Sequence, residues 1–130
     1  MKKKVKSNKP RILLVDDDKD MCESLSDVLT LESNYNVSFT INPIEAVELI
    51  KKTDFTMAII DYKMPEMNGL ELLKRIKKLK PNMIVFILTA FLSTDLIENS
   101  KKEGANKVLS KFIWPTEILK HIQEVLPSRQ

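Results

Sequence analysis

Apolar residues along this chain alternate between two periods. Short unbroken runs stand at residues 12–15, 57–60, 84–88 and 108–109, with a shorter mixed run at 37–39. Continuous apolarity in a short, β-branched stretch marks a strand buried on both faces. Between the runs, apolar residues recur at helical spacing. Met21, Leu25, Val28 and Leu29 share one helix face, and Ile44, Val47 and Ile50 make a second stripe. Leu70, Leu73, Ile76 and Leu79 make a third, stopped by Pro81. Asn42-Pro43-Ile44-Glu45 reads as a helix start, with Asn as cap, Pro in the first position and Glu three residues after the cap. A fourth helix over 94–103 carries Leu96 and Ile97 and stops at Gly104, and a fifth begins near Pro115 with Ile118, Ile122 and Val125. Five strand–helix units in this order predict a doubly wound α/β fold, a five-stranded parallel sheet with five helices covering both faces.

The length of 130 residues suits one domain. The pattern predicts a basic N-terminal tail over 1–10, a domain over 11–126 and a tail or linker start over 127–130. Five of the 21 basic residues lie in positions 2–9, so the net charge of +3 belongs mainly to that tail. Nothing reads as a recognition element, and no direct nucleic-acid binding is expected. No apolar run is long enough to span a bilayer, and the basic start lacks the apolar stretch of a signal peptide. One cysteine, Cys22, excludes an internal disulfide and a cysteine metal site, which fits a cytoplasmic location. Only two glycines occur, Gly69 and Gly104, which excludes the Gly-rich phosphate loops of dinucleotide and P-loop sites.

In an open α/β sheet, ligands bind beyond the carboxyl ends of the strands. Asp16, Asp17 and Asp18 follow the first predicted strand, Asp61 the third, Thr89 the fourth and Lys111 the fifth. Clustered carboxylates repel one another unless protonated or bound to a cation, and a hard divalent ion prefers such oxygen ligands. A carboxylate beside such an ion can act as a nucleophile toward a phosphoryl group, with lysine and hydroxyl sharing the charge on the transferring oxygens.

The stretches Ile-Leu-Leu-Val-Asp-Asp-Asp, Ile-Ile-Asp-Tyr-Lys-Met-Pro-Glu-Met-Asn-Gly-Leu-Glu-Leu, Ile-Leu-Thr-Ala and Gly-Ala-Asn-Lys-Val-Leu-Ser-Lys resemble the signatures of response-regulator receiver domains from two-component signalling. The resemblance covers residues 11–126. It implies the flavodoxin-like (βα)5 fold and a phosphoryl group accepted on Asp61 with the help of Mg²⁺ or Mn²⁺. By the same resemblance, Asp17 touches the ion directly and Asp16 reaches it through water. Lys63 lends its backbone carbonyl, Thr89 bonds the phosphoryl group, and Lys111 pairs with it. The implied partners are a sensor histidine kinase or phosphotransfer protein as donor and a downstream effector or output domain as reader. The domain itself is a monomer or weak dimer. The family does not turn over substrate. An aspartyl-nucleophile phosphatase needs a second acid two residues after the nucleophile, where Lys63 stands.

Two departures from the family pattern bear on function. Phe112 replaces the proline that usually follows the lysine, which predicts a trans Lys111–Phe112 bond, a rearranged loop and a Lys111 free to point away from the pocket. Val108 stands where the family has a switching aromatic ring. Together they leave open a receiver-like binding module with impaired switching. The simpler readings of the remaining residues are Asp18 as a spare acid or helix-start residue, Cys22 as a small core residue, Trp114 as a packing residue, His121 as an ordinary helix residue, and the lysines and arginine of the third helix as a solvated face.

Overall fold

The computed structural model describes residues 9–127, so most of the expected basic tail and the last three residues lie outside the described part. The elements alternate strictly: β1 (Arg11–Val15), α1 (Lys19–Leu31), β2 (Asn36–Thr40), α2 (Pro43–Lys52), β3 (Met57–Asp61), α3 (Gly69–Leu79), β4 (Ile84–Thr89), α4 (Thr94–Lys102), β5 (Lys107–Ser110) and α5 (Pro115–Val125). All neighbouring strands pair in parallel, in the order β2-β1-β3-β4-β5.

Side-chain alternation along the strands divides the core in two. Leu13, Val15, Ala58, Ile60, Val85 and Ile87 pack on the face covered by α2 and α3. Ile12, Leu14, Ile59, Phe86 and Leu88 pack on the opposite face, under α1 and α5. Every residue of β3 is buried, which is why its sequence shows no polar alternation. Each fully buried Leu or Ile stabilises the fold by roughly 1.5–3 kcal/mol, so the central strands hold the sheet ends rigidly in place.

Caps set the helix starts. Asp18 accepts from the Met21 amide at the start of α1, and Asn42 from the Ile44 and Glu45 amides at the start of α2. Asn68 and Glu71 form a reciprocal capping box on α3. Glu45 does not close such a box on α2, because its carboxylate accepts the Thr40 hydroxyl at 2.7 Å.

Several expected core residues are displaced. Ile44 and Leu79 are exposed, and beyond the first residues Pro43 and Gly69 the buried residues of α2 and α3 are Ala46, Val47, Ile50, Leu72, Leu73 and Ile76. The helices are rotated so that the smaller Ala46 and the doublet Leu72-Leu73 face the sheet. Trp114 is not a packing residue. It is 73% exposed at the cap position of α5, where Pro115 starts the helix. Cys22 is buried as expected. His121 is more engaged than expected, with its Nδ1 2.9 Å from Lys107 Nζ. In α4 the single buried residue is Ser100, and Leu96 and Ile97 are half-buried.

Candidate functional site

The carboxyl ends of β1, β3, β4 and β5 meet at one crevice because the four strands are consecutive neighbours in the sheet. Asp61 is the last residue of β3 and is 4% exposed. Asp16 follows β1 directly and is 6% exposed, and Asp17 beside it is exposed. One carboxylate oxygen from each of Asp16, Asp17 and Asp61 lies within 4.8 Å of the others. Asp18 turns away to cap α1, and its amide donates to Asp16 Oδ1 at 2.9 Å.

Lys111 reaches this cluster, although Phe112 had left it free to point away. Its Nζ lies 3.0 Å from Asp16 Oδ2 and 3.1 Å from Asp61 Oδ2. The described backbone contains no cis peptide bond, so the trans expectation for Lys111–Phe112 holds. The lysine is placed by the sheet instead. Its amide donates to the Thr89 carbonyl at 2.8 Å, continuing the β4–β5 pairing one residue past β5. Ser110 Oγ then accepts the Phe112 amide at 3.2 Å and turns the chain away.

Burial is the main force on the acids. It raises the carboxyl of Asp61, and the Asp16 charge raises it further against the pull of Lys111, to about 6. Asp16 is raised as well, again first by burial. Burial works against the charge on Lys111, but the hydrogen bond and charge of Asp16, with Asp61 behind it, outweigh that and raise its pKa. The pocket thus favours a positive centre among its acids, and one lysine falls short of balancing them. Three carboxylates with oxygens this close are a donor set suited to a small hard cation such as Mg²⁺.

Thr89 is 4% exposed. Its Oγ1 accepts from the Phe91 amide and lies 3.2 Å from the Phe91 carbonyl, so the hydroxyl is engaged by its own loop. The Lys63 side chain is exposed, and with Tyr62, Thr89, Phe91 and Leu96 it lines a hollow of about 300 Å³ at the crevice mouth. Val108 is half-buried against the core. Two supporting residues were not foreseen in these roles. Gly69 lies so close behind the site that a Cβ there would sit 2.7 Å from the Asp61 carbonyl oxygen. Cys22 Sγ donates to the Asp16 carbonyl at 3.4 Å, and burial pushes its thiol up to about 12, which keeps it unreactive. Gly69 was signalled by its place after the Asn68 cap. Cys22 carried no signal beyond its place on the buried stripe of α1.

The response regulator receiver domain model matches residues 12–123. The chain belongs to the response-regulator receiver family. It is 32% identical over 117 residues to sporulation initiation phosphotransferase F of Bacillus subtilis, covering 90% of this chain and 94% of that protein. It is 33% identical over 109 residues to a response regulator receiver protein of Anaeromyxobacter, covering 84% of this chain but 45% of that longer protein. Among solved structures, a CheY-like receiver domain protein from Methanospirillum hungatei superposes with a TM-score of 0.86 at 33% identity, covering 92% of this chain and 94% of the other. The receiver fold is therefore common ground with response-regulator receiver proteins. No helix among the described residues is long and apolar enough to cross a membrane.

Proposed function

We propose that this receiver domain accepts a phosphoryl group on Asp61 in a Mg²⁺-dependent transfer and passes the signal on through a change of conformation. The observation that carries the reading is the convergence of Asp16, Asp17 and Asp61 oxygens within 4.8 Å, with Lys111 Nζ 3.1 Å from Asp61. Asp16, Asp17 and Asp61, with the Lys63 carbonyl, are the groups that would hold Mg²⁺ or Mn²⁺. When bound, such an ion neutralises the acids and draws charge from the phosphoryl oxygens.

The rest of the chemistry belongs to the chain. A carboxylate oxygen of Asp61 attacks phosphorus, an acyl phosphate forms, and the phosphorus–nitrogen bond of a phosphohistidine, or the phosphorus–oxygen bond of a small acyl phosphate donor, breaks. Lys111 exchanges its ion pair with Asp61 for one with the phosphoryl group. The Thr89 hydroxyl leaves the Phe91 backbone and donates to a phosphoryl oxygen, pulling the loop after β4 with it. Exposed Lys63 at the mouth meets the anionic donor first.

The added charge shifts a balance between two conformations. With Val108 half-buried in place of a ring, movement passes through α4, whose buried side is a single serine. The donor is a sensor histidine kinase or phosphotransfer protein, the reader is an effector or output domain, and both act in the cytoplasm. Self-phosphorylation and slow loss of the group make this a switch and not a turnover enzyme.

The test is intact-mass spectrometry after incubation with acetyl phosphate and Mg²⁺. Wild type gains one phosphoryl group, and Asp61→Asn or addition of a chelator abolishes it. Equal labelling of Asp61→Asn overturns the reading.

A further inference from the structure

The third helix carries more cations than the fold uses. Positive charge on the α2–α3 face comes from Lys51, Lys52, Lys74, Arg75 and Lys78, with Lys77 and Lys80 beside them. Three of these have partners within the fold. Lys51 pairs with Glu48 at 3.2 Å, Lys80 pairs with Asp54 at 3.1 Å, and Lys77 Nζ donates to the Met83 carbonyl. The other acid on α3, Glu71, is taken by the capping box. Lys52 and Lys78 lie in last turns, where they favour the helix dipoles. Lys74 and Arg75 stand mid-helix and exposed, and neither a helix dipole nor an ion pair among the described residues accounts for them.

These cations border an apolar feature. Val47, Lys51, Arg75, Lys78 and Leu79 line a hollow of about 310 Å³ between α2 and α3. Leu79 is also shared with a second hollow of about 300 Å³, floored by Phe55, Pro81 and Met83. Leu79 is 38% exposed, an apolar ridge between two depressions, although its place in the sequence stripe assigned it to the core. The groove runs along the carboxyl ends of α2 and α3. Each helix runs back from the crevice edge of the sheet, so this groove lies at the opposite edge from Asp61.

We propose that the α2–α3 groove docks an acidic amphipathic helix of a partner protein. Two apolar depressions beside a ridge suit the apolar face of a helix, and Arg75 and Lys78 on the rim suit flanking carboxylates. A nucleic acid would use the cations but not the apolar floor, so the floor decides for a protein helix. The contact is separate from phosphoryl chemistry and leaves the crevice free.

The experiment titrates the ¹⁵N-labelled full chain with a synthetic amphipathic peptide carrying Leu on one helix face and Glu on the flanks. A copy with Lys for Glu and a short DNA duplex serve as comparison probes. Amide shifts centred on Val47, Lys51, Arg75, Lys78 and Leu79 are expected, for the Glu peptide alone. The double variant Arg75→Glu/Lys78→Glu weakens that binding by about tenfold or more, and Leu79→Ser weakens it as well. Both variants still take up a phosphoryl group from acetyl phosphate, which shows an intact fold. Shifts centred elsewhere, no shifts at millimolar peptide, equal binding of the Lys copy, or an unchanged affinity of the double variant overturns the proposal. Tighter binding of the DNA at this face overturns it in favour of a nucleic-acid surface.

Discussion

Replacing Asp61 by Asn should make the metal-free domain more stable at neutral pH while abolishing its phosphorylation. In the folded state burial and the Asp16 charge lift the Asp61 carboxyl from 3.8 to about 6 despite Lys111. The sign follows from linkage. A carboxyl whose pKa is raised on folding binds more protons in the native than in the unfolded chain between those two values, so stability falls as pH rises through that window. The loss is complete by about pH 7 and amounts to roughly 3 kcal/mol at most. Asparagine keeps the shape, does not ionise, and leaves Lys111 paired with Asp16. For a domain of this size each kcal/mol moves Tm by about 4 °C, so Asp61→Asn should melt roughly 10 °C higher at pH 7.5.

The assay is thermal unfolding by circular dichroism in EDTA from pH 4.5 to 8, for wild type and Asp61→Asn. The gap between the two should widen from the acid end to pH 7 and then stay constant. Mg²⁺ should narrow it, because an ion that binds the folded acids stabilises wild type by mass action and has lost a ligand in the variant. A variant equal to or less stable than wild type at pH 7.5 in EDTA refutes the claim that the ionised pocket is strained.

The remaining predictions concern single contacts. Lys111→Met removes the cation 3.0 Å from Asp16 and 3.1 Å from Asp61, and should slow acetyl phosphate labelling by about 10²-fold in a mass-spectrometric time course, with unchanged circular dichroism. Thr89→Ala should still be labelled but lose the phosphorylation-dependent amide shifts in α4, because no hydroxyl remains to follow the phosphoryl group. Gly69→Ala places a methyl 2.7 Å from the Asp61 carbonyl oxygen and 2.8 Å from Tyr62 Cα, and should lower stability to urea by about 1–3 kcal/mol. Ser100 Oγ is buried with no hydrogen-bond partner among the described residues, so Ser100→Ala should raise stability to urea by about 1 kcal/mol.

The element order was legible because the central strands β1, β3 and β4 are buried on both faces and leave uninterrupted apolar runs. The crevice was legible for a related reason. A polar residue directly after such a run must sit at a strand end, as Asp16, Asp61 and Thr89 do, and Lys111 follows one residue past β5. Helix rotation was harder to read. Ile44 and Leu79 fit a helical stripe as well as Ala46 and Leu72 do, and only packing against the sheet chooses between them. Trp114 was misplaced because its size suggested burial, whereas Pro115 starts α5 and leaves the ring outside the core. Gly69 was marked by its place after Asn68, but its close approach to Asp61 and Tyr62 runs across space, which no spacing along the chain encodes.

Lys111 shows what a missing residue does and does not decide. Phe112 in place of proline implied a trans bond and left the lysine free to point away. The bond is trans, and the lysine nevertheless faces the acids. Thr89 pairs with Ser110 in register, and the next amide, that of Lys111, still donates to Thr89. The lysine backbone is therefore fixed from the sheet side before the chain reaches Phe112. With its backbone held there, Lys111 has within reach two buried acids that are short of positive charge. Burying them unpaired would be far more unfavourable than any rotamer preference of the lysine. The electrostatic demand of the pocket and the ladder bond together orient the side chain. The Ser110 hydroxyl satisfies the Phe112 amide, a donor that proline would not have had. The phosphate-pairing role expected of Lys111 thus depends on the β4–β5 register and the acids opposite, not on the isomer of the bond that follows.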